Sequence, residues 1–190
     1  MTFVCAEAGV NHNGDIGQAF LLANAAKEAG ADACKFQHFD SRALWGDDRI
    51  AHLQLSDAEM LNVAWHCKAI GIEFMCTPFG VREVEFLTPL VKRWKIASGC
   101  LEKYDLLKAV RETKLPVIMS TGMQTREQVL DAWAELIDDE GLTKITTLHC
   151  TSSYPCPISD VNLNAMLTLP KPYGYSDHTL GITIPIAAVA

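Results

Sequence analysis

Gly174-Tyr175-Ser176-Asp177-His178-Thr179-Leu180-Gly181 is the strongest indication of fold in this chain of 190 residues. It places a hydroxyl, a carboxylate and an imidazole side by side, directly after a strand-like segment. A second polar stretch, residues 6–15 (AEAGVNHNGD), follows the first apolar run in the same way. Polar clusters that recur at the carboxyl ends of successive strands are how an α/β barrel builds an active site. The two stretches therefore predict an α/β fold whose site lies at the strand ends.

Short β-rich segments alternate with helical patterns along nearly the whole chain. Strands that are separated by helices pair in parallel through right-handed crossovers. There is no Gly-x-Gly-x-x-Gly after the first strand, which disfavours a dinucleotide-binding sheet. The predicted strands are Phe3–Ala6, Ala33–Phe36, Glu73–Cys76, Arg93–Ala97, Val117–Ser120, Ile145–Cys150 and Tyr173–Ser176.

Capping residues predict where the intervening helices begin and end. Asp15 is a predicted N-cap, and Gly30 ends the helix that follows it. The final helix is expected to begin near Ile184. Two capping-box patterns predict further helix starts: Ser56 with Glu59, and Thr125 with Gln128.

A complete barrel of eight βα units takes roughly 250 residues. We therefore expect a TIM-type (β/α)8 barrel that is incomplete, with seven βα units and without the eighth strand and helix. Residues 1–190 are expected to form one partial catalytic barrel domain. Because such a sheet leaves open edges where it is meant to close, the fragment by itself is expected to be unstable and inactive.

The composition excludes several classes of function. A net charge of −7 argues against nucleic-acid binding, because neutralising phosphates needs clustered Lys and Arg. No apolar run approaches the ~20 residues that cross a bilayer, and the amino terminus lacks a signal-peptide pattern. The seven cysteines include no C-x-x-C pair, which fits a reducing compartment. We expect a cytoplasmic protein without membrane or nucleic-acid partners.

Several strand ends carry residues that suit an anionic ligand. A carboxylate at a strand end, Glu7, is costly unless it is paired or used. Lys35 and Gln37 are two residues apart and share one face of an extended chain. Two lysines with nearby hydroxyls suit a phosphate or carboxylate group. The residues predicted to form this site are Lys35, Lys95, Thr77, Ser98 and Ser120.

The last two predicted strands end in a different kind of polar cluster. His149-Cys150-Thr151-Ser152-Ser153-Tyr154-Pro155 supplies hydroxyls, and His178 lies beside Ser176 and Asp177. His178 at such a strand end indicates metal or substrate contact, although one imidazole cannot hold a catalytic metal. His12, in an Asn- and Gly-rich turn, is equally consistent with a solvated side chain.

Taken together, seven motifs resemble the sialic acid synthase (N-acetylneuraminate synthase) family from about Phe3 to Ala190. The resemblance implies condensation of phosphoenolpyruvate with N-acetylmannosamine, a divalent Mn²⁺ or Mg²⁺ ion, a homodimer, and a barrel followed by a small antifreeze-like domain that this chain lacks. The motifs are residues 7–15, 35–37, 76–79, 95–99, 120–123, 149–155 and 174–180.

The resemblance also assigns roles to single residues. Glu7 matches a carboxylate in proton transfer, and His178 matches one of two metal-binding histidines. Cys100 departs from the family, which has an acidic residue there. Phosphoenolpyruvate contacts are implied for Lys35, Thr77, Lys95, Ser98, Ser120 and Ser176, and amino-sugar contacts for Gln37, Ser152 and Tyr154.

Two alternatives stay open at this point. The same chemistry on a related amino sugar would make the protein a legionaminic or pseudaminic acid synthase. A truncated, non-catalytic homologue that binds phosphoenolpyruvate is the second.

Overall fold

The structure is a computed structural model that describes residues 2–138, 141 and 144–190. The chain divides into two compact units, one running to Trp94 and the other from Lys95 to Ala190. Seven strands form two sheets, one of three strands in the order β1-β2-β3 and one of four in the order β4-β5-β6-β7.

The first unit contains the three-stranded sheet and the helices that join its strands. Parallel pairing connects β1 to β2 and β2 to β3. Its core includes the fully buried side chains of Phe36, Met60 and Met75. In chain order the elements are β1 (Cys5–Gly9), α1 (Ile16–Glu28), β2 (Ala33–His38), α2 (Ser41–Trp45), a 3-10 helix (Ala51–Leu53), α3 (Asp57–Ile70), β3 (Glu73–Pro78) and α4 (Val81–Leu87).

The second unit contains most of the four-stranded sheet, whose first strand spans the boundary between the units. Parallel pairing connects β5 to β6 and β6 to β7. Met119 and Leu136 are among its fully buried side chains. The elements are β4 (Trp94–Ile96), a 3-10 helix (Ser98–Cys100), α5 (Tyr104–Glu112), β5 (Val117–Ser120), α6 (Arg126–Leu136), β6 (Ile145–His149), two 3-10 helices (Ile158–Asp160 and Leu163–Thr168), β7 (Tyr173–Tyr175) and α7 (Thr183–Val189).

All seven predicted strands are confirmed, and β1 differs most in its bounds. It begins at Cys5 rather than Phe3 and continues to Gly9. Glu7 pairs with Lys35, but Gly9 pairs with Phe36, so one residue bulges between them. A bulge adds a residue to one strand without ending the pairing, which a pattern of apolar residues does not reveal.

The predicted helix starts are confirmed by their hydrogen bonds. Asp15 Oδ1 accepts from the backbone N–H of Gly17 at 2.7 Å and of Gln18 at 3.1 Å. Both capping boxes form, at Ser56 and at Thr125. Capping side chains satisfy the first backbone donors of a helix, which have no partner inside it.

These elements establish an α/β fold with parallel sheets. Among the described residues the strands do not close into a hydrogen-bonded ring, so the TIM-type barrel stays a prediction. No helix in the described part of the chain is long and apolar enough to span a membrane. All seven cysteines are free thiols, and six of them are buried.

Candidate functional site

In the first unit, three predicted site residues meet on neighbouring strands. Lys35 on β2 forms an ion pair with Glu7 on β1. Its Nζ also donates a hydrogen bond of 3.2 Å to Thr77 Oγ1 on β3. Lys35 is only 5% exposed, whereas half of the Glu7 side chain is exposed. A buried ammonium is stable only when paired, and here one carboxylate and one hydroxyl supply the pairing.

Strand register explains why these residues meet. Glu7 pairs with Lys35, and Gln37 pairs with Thr77. Because alternate residues of a strand share a face, Gln37 lies on the face that carries Lys35. Gly9 leaves room for the carboxylate, since a Cβ there would lie 3.2 Å from Glu7 Oε1.

His12 lies away from this cluster. It is 1% exposed, and its ring centre is 6.4 Å from that of Phe36, which follows Lys35 in β2 and so faces the opposite side of the sheet. Its Nδ1 accepts from the backbone N–H of Gly14 at 3.1 Å. Burial lowers the pKa of His12, partly offset by the charge of Glu59. His12 is therefore a buried, neutral residue of the turn and does not join the Lys35 cluster.

In the second unit, Lys95 and Ser120 form a second lysine–hydroxyl pair. Lys95 Nζ on β4 donates a hydrogen bond of 2.6 Å to Ser120 Oγ at the end of β5. Both side chains are buried, Lys95 being 8% exposed. Each predicted lysine thus contacts a hydroxyl from another strand of its own sheet.

Ser98 is held beside a backbone donor. Its Oγ accepts from the N–H of Gly122 at 2.9 Å and lies 3.3 Å from Cys150 Sγ. The same N–H lies 3.1 Å from Cys150 Sγ. A Cβ on Gly122 would collide with Ser152 Oγ and would lie 2.7 Å from Cys150 Sγ. Ser98, Cys150 and Ser152 therefore surround a space that only glycine leaves open.

His178 forms a cluster with Tyr154. Its Nδ1 lies 2.7 Å from the carbonyl oxygen of Thr151, and its Nε2 lies 2.9 Å from Tyr154 Oη. A carbonyl only accepts, so the proton resides on Nδ1 and Nε2 carries the lone pair. The rings are tilted, with centres 4.0 Å apart.

This tautomer is the one that a metal-binding histidine needs, because a backbone carbonyl orients the ring through the other nitrogen. His178 therefore fits one position of a metal site. Within residues 2–138, 141 and 144–190, no three His, Cys, Asp or Glu side chains are grouped to hold a metal ion.

The other residues of the GYSDHTLG stretch have structural contacts. Ser176 donates its backbone N–H to the carbonyl of His149 at 2.9 Å and so continues the β6–β7 pairing. Asp177 Oδ1 accepts from the N–H and the hydroxyl of Thr179, at 3.0 and 2.9 Å. Burial raises the pKa of Tyr175, and the neighbouring Asp177 raises it further.

Sequence reasoning missed two groups that contact Ser98. The structure also shows the surroundings of Cys100, where the chain departs from the family pattern. Cys150 and the N–H of Gly122 hold Ser98, yet an apolar strand end and a glycine carry no sign of those contacts. Cys100, which replaces an acidic residue of the family, is 1% exposed. Burial raises the pKa of its thiol.

Comparison with known proteins identifies the family to which the chain belongs. The NeuB family model matches residues 22–190. An N,N'-diacetyllegionaminic acid synthase of Legionella pneumophila is 40% identical, over 98% of this chain and 60% of the relative. A pseudaminic acid synthase of Campylobacter jejuni is 32% identical, over 99% of this chain and 62% of the relative.

A solved structure supports the same family assignment. The N-acetylneuraminic acid (sialic acid) synthetase of Leptospira borgpetersenii superposes with a TM-score of 0.92 at 34% identity, covering 98% of this chain and 68% of that one. The chain spans about 60% of the length of the curated relatives just described. With its family model, its relatives and its fold in agreement, the chain belongs to the NeuB family.

Proposed function

We propose that this protein condenses phosphoenolpyruvate with N-acetylmannosamine, giving N-acetylneuraminate and phosphate. The observation that carries the proposal is the pair of buried lysines, each bound to a hydroxyl on another strand of its sheet in a NeuB-family chain. Phosphoenolpyruvate carries a phosphate and a carboxylate, and ammonium groups with hydroxyl donors bind both kinds of group.

Lys95 and its neighbours are proposed to hold an anionic group of phosphoenolpyruvate. Lys95 Nζ already points to Ser120 Oγ, and the Gly122 N–H points to Ser98 Oγ. These donors are held in place before a ligand arrives, so little reorganisation is needed when negative charge develops. Thr77 and Lys35 are proposed to play the same part in their cluster, and Ser176 is proposed to add a further hydroxyl.

Glu7 is proposed to move a proton. The enol C3 of phosphoenolpyruvate forms a bond to the aldehyde carbon of the sugar, and water adds to C2 before the C–O bond to phosphate breaks. The water must lose a proton as it adds. Glu7 pairs with Lys35 and half of its side chain is exposed, which supports a role as the acceptor of that proton.

His178 is proposed as a metal ligand through Nε2, the nitrogen that carries the lone pair. A divalent Mn²⁺ or Mg²⁺ bound there would polarise the aldehyde carbonyl of the acceptor. The Tyr154 ring packs against the His178 ring, and its hydroxyl, which lies 2.9 Å from the same Nε2, would give up that hydrogen bond to the metal. Gln37, Ser152 and Tyr154 are proposed to face the amino sugar.

A related sugar is the second candidate acceptor. The relative that makes N,N'-diacetyllegionaminic acid is 40% identical to this chain, compared with 32% for the pseudaminic acid synthase. Cys100 also replaces the acidic residue that the resemblance assigns to the sugar. The higher identity favours the diacetamido acceptor of the legionaminic acid synthase over the acceptor of the pseudaminic acid synthase.

We also propose a compartment, an oligomeric state and a domain organisation for the enzyme. By resemblance the complete protein is a cytoplasmic homodimer with a TIM-type barrel and a small antifreeze-like domain.

Phosphate release from phosphoenolpyruvate tests the function. The full-length protein is incubated with Mn²⁺ and either N-acetylmannosamine or the diacetamido sugar, and the sugar acid is identified by mass spectrometry. Release that depends on one of these sugars supports the proposal and names the acceptor. No release with either sugar overturns it and favours a non-catalytic homologue.

A further inference from the structure

A cavity of about 460 Å³ lies within the second unit and borders the Ser98 site, since Cys150 lines the cavity and contacts Ser98. Its walls come from the start of α6, the end of β6, and the segment from the 3-10 helix at Leu163–Thr168 to Pro170. Small-molecule sites fall in the same range, roughly 300–1,000 Å³. The cavity therefore has room for a ligand of its own.

The Gln124 side chain forms part of the cavity wall and is held in place. Its Nε2 donates to the carbonyl of Ser98 at 3.0 Å. Its Oε1 is buried within the protein and is not reached from the cavity.

Arg126 gives the cavity a cation. It is the first residue of α6, its side chain is exposed, and it lines the cavity. Among the described residues it forms no ion pair. A guanidinium binds a carboxylate through two parallel hydrogen bonds, so an acidic ligand group fits here.

His149 also lines the cavity, and apolar residues form the rest of the wall. His149 Nε2 lies 2.7 Å from the carbonyl oxygen of Val161, so Nε2 carries the proton and Nδ1 is the acceptor of the neutral ring. Val129, Leu169 and Pro170 line the same cavity. A ligand that matches these walls carries hydrogen-bond donors and a small apolar group.

We propose that this cavity binds a small carboxylate with N–H and O–H donors, the class to which N-acylated amino-sugar acids belong. Arg126 binds the carboxylate, and the apolar wall receives the acyl methyl. The product of the proposed reaction is a member of this class. Naming the product as the ligand rests on the proposed function, whereas ligand binding does not.

Calorimetry on the full-length protein, with N-acetylneuraminate as the probe and without phosphoenolpyruvate, tests the inference. We expect Lys95→Ala to retain binding, Arg126→Gln to weaken it about tenfold or more, and Leu169→Trp to remove it by filling the cavity. Arg42→Gln is the control, since Arg42 lies on the surface of the first unit and pairs with Asp48. Arg126 is exposed, so its replacement leaves the fold intact.

Three outcomes overturn the inference. They are no binding to the wild-type protein, binding that is lost in Lys95→Ala but kept in Arg126→Gln, and binding that Leu169→Trp leaves unchanged. A failure of the proposed function would appear separately, as no phosphate release with any acceptor sugar, and leaves this binding measurement valid.

Discussion

Lys95 on β4 and Ser120 at the end of β5 are joined by a hydrogen bond of 2.6 Å between two buried side chains. An ammonium group at that depth has given up most of its hydration, and polar contacts that include Ser120 Oγ and the carbonyl oxygen of Ile96 replace it. An ammonium beside a hydroxyl suits an anionic group, which supports the proposed role of this pair in phosphoenolpyruvate binding.

Lys95→Ala in the full-length protein is expected to weaken phosphoenolpyruvate binding at least tenfold. Charge-assisted hydrogen bonds are worth roughly 1.5–3 kcal/mol each, and this substitution removes the donor. Isothermal titration calorimetry measures the affinity. Lys108→Ala, which removes an exposed lysine of α5, serves as the control. Equal affinity in the Lys95 variant and the wild type would show that Lys95 does not hold the substrate.

Gly122→Ala is expected to damage the site that surrounds Ser98. The new Cβ would collide with Ser152 Oγ and lie 2.7 Å from Cys150 Sγ, so the hydrogen bond from the Gly122 N–H to Ser98 must lengthen or break. We expect phosphoenolpyruvate affinity to fall about tenfold or more, as for the loss of one charge-assisted bond.

Gly99→Ala is the matched control, because a Cβ at Gly99 meets nothing within 4 Å. If both variants bind phosphoenolpyruvate as the wild type does, the space beside Gly122 has no part in binding.

His178→Ala is expected to lower the Mn²⁺ affinity of the full-length protein at least tenfold, because the lone pair on Nε2 is lost. Electron paramagnetic resonance of free Mn²⁺ measures this directly and does not require turnover. Thermal unfolding is expected to change little, since the His178 side chain is only half-buried beside Tyr154. Unchanged Mn²⁺ affinity would leave His178 with a structural role only.

Comparing Gly14→Ala with Gly30→Ala separates the stability cost of backbone strain from the cost of a steric collision. Both glycines have positive φ, +77° and +81°, a region that costs other residues about 1–2 kcal/mol. Only at Gly14 would a Cβ also collide with a backbone atom, the carbonyl oxygen of His52. We expect urea unfolding to show a clearly larger loss of stability for Gly14→Ala. Equal losses would mean that the 51–54 segment moves aside freely.

Stability is expected to fall as the pH rises above about 9, in part because of two buried thiols. Burial raises the pKa of Cys34 and of Cys67 to about 12, while an unfolded thiol loses its proton near pH 9. Between about pH 9 and pH 12 the unfolded state therefore binds fewer protons, which favours unfolding. Below pH 9 this contribution is constant. Urea midpoints measured from pH 7 to pH 10 should decline less steeply in the double variant Cys34→Ala, Cys67→Ala.

Much of the local structure followed from patterns of residue type. Capping residues and apolar strands predicted the helix starts and all seven strands, because those signals depend on near neighbours in the chain. Lys35 and Lys95 were predicted to sit beside hydroxyls for the same reason: the strand ends of a parallel sheet lie together.

Other parts of the site depend on loop conformation and could not be predicted. The N–H of Gly122 donates toward Ser98 because of the turn after β5, and Cys150 contacts both only through that turn. The bulge between Glu7 and Gly9 depends on β2 as its partner. The burial of His12 depends on packing near Phe36. Its polar neighbours in the sequence do not reveal that burial, so the sequence left the role of His12 open.

The group that orients His178 is a main-chain carbonyl, that of Thr151. Every amino acid supplies this acceptor, so no substitution at position 151 deletes it. Its position is instead maintained by the loop, where Thr151 Oγ1 donates to the carbonyl of Asp160 at 3.1 Å. The imidazole tautomer therefore depends on the conformation of the loop and not on the identity of the side chain at position 151. Mutations would change it only through insertions, deletions or a different loop conformation.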